Sequence, residues 1–160
     1  MTGKAEFTDE EWQRLRRSPI VAGMAITLAD PGGPIEVTKE SVAALRTVLE
    51  AAETGGQGEL VDEVAKDVAE MGKQRENPLG DFKPKGAMAG EEILSELRAV
   101  NALLSEKASP EDAASFRQWL LSAAQRAADA AKEGGFLGFR AERVSEGEQQ
   151  MLDKLGEVLS

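Results

Sequence analysis

The sequence contains no cysteine, no histidine and no tyrosine among its 160 residues. Without these residues the chain can form no disulfide, no thiolate nucleophile and no Ser-His-Asp or Cys-His catalytic group. It can also build no zinc site from sulfur and imidazole ligands. Carboxylate oxygens are the metal ligands that remain, and they suit hard cations such as Mg²⁺, Ca²⁺ or Mn²⁺.

Basic residues are in the minority, and long apolar runs are missing. Nineteen Lys and Arg stand against 29 Asp and Glu, so the formal net charge is −10. Such an excess opposes binding to nucleic-acid phosphates or anionic lipids. The most apolar run, residues 20–29, is far shorter than the roughly 20 residues of a membrane span, and the N-terminus lacks a signal-peptide pattern. We expect a cytoplasmic protein with no nucleic-acid or membrane partner.

Capping signals followed by apolar residues at helical spacing predict an all-α fold. Thr8 and Glu11 have the spacing of a capping box. Ser18-Pro19 and Ser109-Pro110 each place a capping hydroxyl before a proline, which suits the first helical position. The apolar stripes that follow at intervals of three or four residues are Trp12 and Leu15; Val42, Leu45, Leu49 and Ala52; Leu60, Val61, Val64, Val68 and Met71; Ile93, Leu97, Val100 and Leu104; Phe116, Leu120, Ala123, Ala127 and Ala131; Met151, Leu152, Leu155 and Leu159.

Together these signals predict one compact bundle of about seven helices that spans residues 1–160 as a single domain. A charged N-terminal helix within 1–17 ends before Ser18-Pro19, and a buried apolar helix then covers 20–29. A buried strand is the alternative for 20–29, because several of its residues are β-branched. Helix is favoured because nothing else in the sequence requires a sheet. Residues 73–88, with two prolines and two glycines, form an irregular internal loop.

A metal site is one functional hypothesis. Asp30 ends the apolar segment, Glu36 follows in the loop, and Glu40 lies in the first turn of the next helix, so these three carboxylates can converge on a divalent cation. The alternative interpretation is that Asp30 forms the turn while Glu36 and Glu40 are solvated.

Two further charged clusters are interpreted as structural. We expect the acidic residues Glu59, Asp62, Glu63 and Asp67 to form a solvated helix face, with Asp62 paired to Lys66. The basic patch of Arg14, Arg16 and Arg17 is predicted to pair with neighbouring carboxylates rather than with nucleic acid.

The glycine-rich loop 134–140 lies before a predicted helix but lacks the Lys-Ser/Thr ending of a P-loop. We expect its apolar residues, Phe136, Leu137 and Phe139, to close the open end of the bundle. If they are exposed instead, they form a binding patch for a protein partner or for self-association.

Two stretches of the chain resemble each other and a known family. Ile35-Glu36-Val37-Thr38 leads into one amphipathic helix, and Glu142-Arg143-Val144-Ser145 leads into another. The first follows an apolar helix that ends in Ala29-Asp30. This order resembles the TerB-like family, which is associated with tellurite resistance. The resemblance implies an all-α bundle with two related helical units, and acidic metal ligands at Asp30, Glu40 and Glu148.

The sequence therefore favours a non-catalytic binding or interaction module, in a stress-response setting if the resemblance holds. The alternative is a protein that binds a divalent metal through Asp30, Glu36, Glu40 and Glu148. A carboxylate- or metal-dependent enzyme is the third hypothesis, although no pair of residues suggests a catalytic geometry.

Overall fold

A computed structural model of the chain describes residues 3–29, 37–80, 82, 84, 88–133 and 146–160, with the backbone alone at 27–29, 37–43, 130–133, 146 and 148. Over these residues the chain is all-helical, as predicted, and a short 3₁₀ helix precedes six α-helices. The α-helices are α1 (Asp9–Ala29), α2 (Val37–Thr54), α3 (Glu59–Lys73), α4 (Ala89–Lys107), α5 (Pro110–Glu133) and α6 (Glu146–Val158). Among the described helices, none is both long and apolar enough to cross a membrane.

Helix α1 is continuous through Pro19, so the predicted helix boundary at Ser18-Pro19 is wrong. Proline has no N–H, and the carbonyl of Leu15, four residues earlier, therefore loses its usual helical donor. The buried Ser18 hydroxyl donates to that carbonyl instead, at 2.7 Å. The two helices predicted before residue 30 are thus one, and the described part of the chain has six helices rather than seven. The strand alternative for residues 20–29 is wrong as well.

The N-terminal signals of two helices are formed as predicted. The Thr8 N–H donates to the Glu11 carboxylate (2.8 Å), and the Glu11 N–H donates to the Thr8 hydroxyl (3.2 Å). At the start of α5, the Asp112 N–H donates to the Ser109 hydroxyl (3.2 Å). These contacts satisfy backbone donors that a helix leaves unpaired in its first turn.

Helix α1 is the central element and packs against α2, α4, α5 and α6. Its first half and its second half contribute to two different apolar clusters. In the second cluster, Ala22 and Ala25 of α1 share the interior with Ala124, Ala127 and Ala128 of α5. Small side chains at such positions allow two helices to approach closely. Helices α2 and α3 lie beside this centre, and α2 packs on α1, α5 and α3.

A candidate protein-interaction groove

A glycine-rich connection sets the geometry of α2 and α3. Gly55, Gly56 and Gly58 have φ values of 67°, 80° and 119°, a region that side chains disfavour. The Asp62 carboxylate of α3 accepts the N–H groups of Gly56 (2.9 Å) and Gln57 (3.3 Å). A four-residue connection of this kind produces a hairpin of two antiparallel helices.

An open groove of about 670 Å³ runs between α2 and α3. Its apolar lining is contributed by both helices and comprises Leu45, Leu49, Ala52, Val68, Ala69 and Gly72. Because the helices are antiparallel, the end near the connection carries Ala52, and the far end carries Leu45 and Gly72. Leu49 lies between Leu45 and Ala52 along α2, and Val68 and Ala69 lie between Lys66 and Gly72 along α3.

Two leucines are exposed on this groove. Leu45 is 36% exposed and Leu49 is 40% exposed, whereas Ala44, Val48 and Ala51 of the same helix are completely buried. Helix α2 therefore carries apolar residues on two adjacent faces, of which one is packed and one is open. A single exposed leucine is ordinary, but two leucines one turn apart in one groove form a continuous apolar surface.

The rim of the groove carries four charged side chains. Glu53 lies near the end of α2 at the connection, Lys66 lies at the middle of α3, and Glu70 and Lys73 lie in the last part of α3. These two glutamates and two lysines have a combined net charge of zero, although the chain as a whole has a net charge of −10. Lys73 and Glu70 are 4.0 Å apart and more than half exposed, so they remain accessible to an approaching partner.

The acidic cluster on α3 is not simply a solvated face, because its carboxylates bind other parts of the chain. Glu63 accepts the backbone N–H of Lys4 at 2.8 Å. Asp67 accepts the indole N–H of Trp12 (2.7 Å) and a guanidinium N–H of Arg16 (3.3 Å). These bonds hold the N-terminal segment and the start of α1 against α3. The predicted pair of Asp62 with Lys66 is absent from the ion pairs of the described residues, since Asp62 binds the loop.

The arginines of α1 bind carboxylates, as predicted. Arg14 Nε and Arg17 Nη2 each lie 2.8 Å from Glu96 Oε1 of α4, and Arg16 binds Asp67 at 3.3 Å. Glu96 is 8% exposed. The basic patch therefore fastens α1 to α4 and α3.

The candidate site residues of the sequence lie outside the part of the chain whose side chains are described. Asp30, Glu36, Phe136, Leu137 and Phe139 belong to undescribed segments. Glu40 lies on α2 and Glu148 on α6, with their side chains undescribed. The divalent-metal site and the Phe136–Phe139 patch accordingly stay predictions. Among the side chains that are described, no group of three or more His, Cys, Asp or Glu residues is placed to hold a metal ion.

Comparison with protein-family models, with curated proteins and with solved structures finds no match to this chain. The TerB-like resemblance and the two related helical units also stay predictions.

Proposed function

We propose that this chain is a non-catalytic binding module and that the α2–α3 groove is its protein-binding surface. The observation that carries this proposal is the exposure of Leu45 and Leu49 along one open groove. Burying an exposed leucine completely contributes roughly 1.5–3 kcal/mol. At 36% and 40% exposure, covering both leucines would contribute roughly 1–2 kcal/mol on that scale.

The distribution of polar groups supports protein contact. The walls present methyl groups, and the charged side chains lie on the rim. Protein interfaces have this pattern of an apolar centre inside a polar border. A partner that covers the groove can bury the leucines while Glu53, Lys66, Glu70 and Lys73 stay hydrated or pair at the edge.

Site-specific photo-cross-linking tests the proposal. A benzophenone side chain is placed at position 49 in the groove or, as the control, at Ala102 on the exposed face of α4. The protein is expressed in cells that naturally contain it and is irradiated. We expect a discrete covalent adduct from position 49 and none from position 102.

Gly72→Leu provides a second control in the same chain. An added Cβ at Gly72 meets no atom within 4 Å, so a side chain at this position can occupy part of the groove without a clash at its Cβ. It should abolish the adduct from position 49 while leaving the helical circular dichroism unchanged. Equal labelling from positions 49 and 102, or labelling that Gly72→Leu does not alter, would contradict the proposal.

A further inference from the structure

We infer that an amphipathic α-helix of another protein enters the α2–α3 groove, and that its flank beside α3 carries an acidic, a basic and an acidic side chain in that order. This inference rests on the proposed binding function and names the secondary structure and the charge of the partner segment. Two observations support it, namely the apolar walls of the groove and the order of charges on the rim of α3.

The walls of the groove can bury side chains, but they favour a segment that bonds its own backbone. The described lining of the walls is Leu45, Leu49 and Ala52 on α2, with Val68, Ala69 and Gly72 on α3. Backbone groups inside a helix bond to one another and are not free for a partner. An extended segment would bury unpaired N–H and C=O groups against these walls, at a cost of roughly 1–3 kcal/mol for each. A helix leaves no such groups unpaired along its length, so the groove favours a helical partner.

The apolar residues that α2 contributes to the groove have the spacing of a helix-binding surface. Leu45, Leu49 and Ala52 lie four and three residues apart, so they form one row along about two helical turns, or roughly 10 Å. A partner helix that lies along this row presents its own apolar residues at intervals of three or four. Contact over about two turns covers a small area, which is typical of a transient complex.

The charges on the rim of α3 follow the same spacing. Lys66, Glu70 and Lys73 are all exposed and lie four and three residues apart. They therefore form a row of positive, negative and positive charge, and this order is the same in both directions along α3. A partner helix matches it with an acidic, a basic and an acidic side chain, whichever way the helix runs. The exposed pair of Glu70 and Lys73, at 4.0 Å, contributes little by itself, so both side chains can bind a partner instead.

Mapping of photo-cross-links tests the secondary structure of the partner. Benzophenone side chains are placed at position 45 or at position 52, in the same cells as the position-49 chain, and mass spectrometry identifies the partner residue that each labels. The two positions are about 10 Å apart along α2. A helix covers this distance in about seven residues, whereas an extended strand covers it in about three. We expect the two labelled residues of the partner to lie about seven positions apart.

Charge reversal tests the flank of the partner. The double variant Lys66→Glu/Lys73→Glu should lower the yield of the position-49 adduct about threefold or more, because it places like charges together. The control Arg98→Glu/Lys154→Glu, at exposed positions of α4 and α6, changes the net charge by the same amount and should leave the yield unchanged. Glu70→Lys should also lower the yield. A partner that is acidic throughout would instead bind Glu70→Lys more strongly, so this variant identifies the alternation of charge.

Four results would overturn the inference and leave the protein-binding function standing. They are labelled residues about three positions apart, an adduct with a second copy of this chain, a yield that Glu70→Lys raises, and a yield that Lys66→Glu/Lys73→Glu does not change. Absence of any protein adduct from positions 45, 49 and 52 would overturn both the inference and the binding function.

Discussion

Glu96 is a single buried carboxylate that binds two arginines of another helix. Arg14 and Arg17 each contact its Oε1 at 2.8 Å. The Arg17 guanidinium also lies 5.3 Å from the centre of the Phe82 ring, a favourable cation–π distance. With a side-chain exposure of 16%, Arg17 depends on Glu96 for its neutralisation more than Arg14 does at 39%.

Replacement of this carboxylate should therefore be costly. Glu96→Gln keeps the side-chain shape but leaves Arg17 without its counter-charge. We expect the free energy of unfolding to fall by about 2–3 kcal/mol, somewhat less than for a completely buried pair because Arg14 reaches solvent. Urea denaturation measures this change. Glu92→Gln, on the exposed part of the same helix, is the matched control and should lie within about 0.5 kcal/mol of wild type; equal effects of the two substitutions would contradict this view of Glu96.

Glu11 couples the start of α1 to the end of α4. The Lys107 ammonium, 2.6 Å away, lowers the pKa of Glu11 below its ordinary value of 4.5, and the N–H of Thr8 lowers the pKa further. Since the carboxyl is more acidic in the folded chain, its stabilising contribution is complete above pH 4.5 and is lost as the pH falls through the folded-state pKa.

Thermal melting as a function of pH checks this assignment. Glu11→Gln should lower Tm near neutral pH, and the difference from wild type should shrink as the pH falls from about 6 to about 3. Glu10→Gln removes a charge from the same turn without removing the Lys107 contact, so its Tm difference should not follow that course. A Glu11→Gln difference that is constant with pH would count against the assignment.

At the scale of whole elements, the continuity of α1 depends on Ser18. Ser18→Ala leaves the buried Leu15 carbonyl without a donor, which should cost about 1–2 kcal/mol of unfolding free energy. Adding Pro19→Ala supplies a backbone N–H for the same carbonyl. We expect the double variant to be more stable than Ser18→Ala alone, as measured by urea denaturation. Strict additivity of the two changes would show that the hydroxyl does not replace the missing N–H. Ser95→Ala, at an exposed position of α4, is the control for the loss of a hydroxyl.

The connection between α2 and α3 offers another matched pair. Gly58 has φ 119°, and an added Cβ would lie 3.2 Å from the Cβ of Ser115. Gly56 also has positive φ, at 80°, but its Cβ position is open. Gly58→Ala should therefore destabilise by about 2–3 kcal/mol and Gly56→Ala by about 1 kcal/mol. Calorimetric or urea unfolding that ranks the two variants equally would refute the role of the Ser115 contact.

Local sequence signals predict most of the helices but not how far α1 extends. The capping box at Thr8 and the stripe of α4 are short-range features, and the structure confirms both. The predicted boundary at Pro19 is wrong because a proline after serine also fits the first turn of a helix. In the structure, the Ser18 hydroxyl takes the place of the N–H that Pro19 lacks. This depends on how α1 packs in the fold, and the preference of proline for the first turn of a helix does not take packing into account.

Sequence patterns miss the groove for a related reason. Helix α2 has two apolar stripes one position apart, and periodicity does not say which of them the fold covers. Hydrophobicity alone favours the leucines, yet the fold buries Ala44, Val48 and Ala51, since α2 packs against the broad face formed by α1 and α5. One feature of the sequence does point to the groove: the apolar residues of α2 cover a wider surface than a single neighbouring helix can bury. The contacts of Glu63 and Asp67 join residues more than 50 positions apart, beyond any local pattern.

At the scale of the whole molecule, some of the charged side chains bind other parts of the chain, and others lie on the surface. Carboxylates that look unpaired in the sequence bind arginines, backbone amides and an indole, so the charge of −10 is not itself a sign of metal or basic-ligand binding. The α2–α3 groove differs from this pattern because its walls are apolar and its rim is neutral. It is therefore the surface on which the proposed function depends.

Cross-linking from the α2–α3 groove is the measurement that tests the central claim most directly. A photo-reactive side chain at position 49 should give a discrete covalent adduct with a protein partner, whereas the same side chain at Ala102, on the exposed face of α4, should give none. Equal labelling from the two positions, or labelling that Gly72→Leu leaves unchanged, would contradict the account.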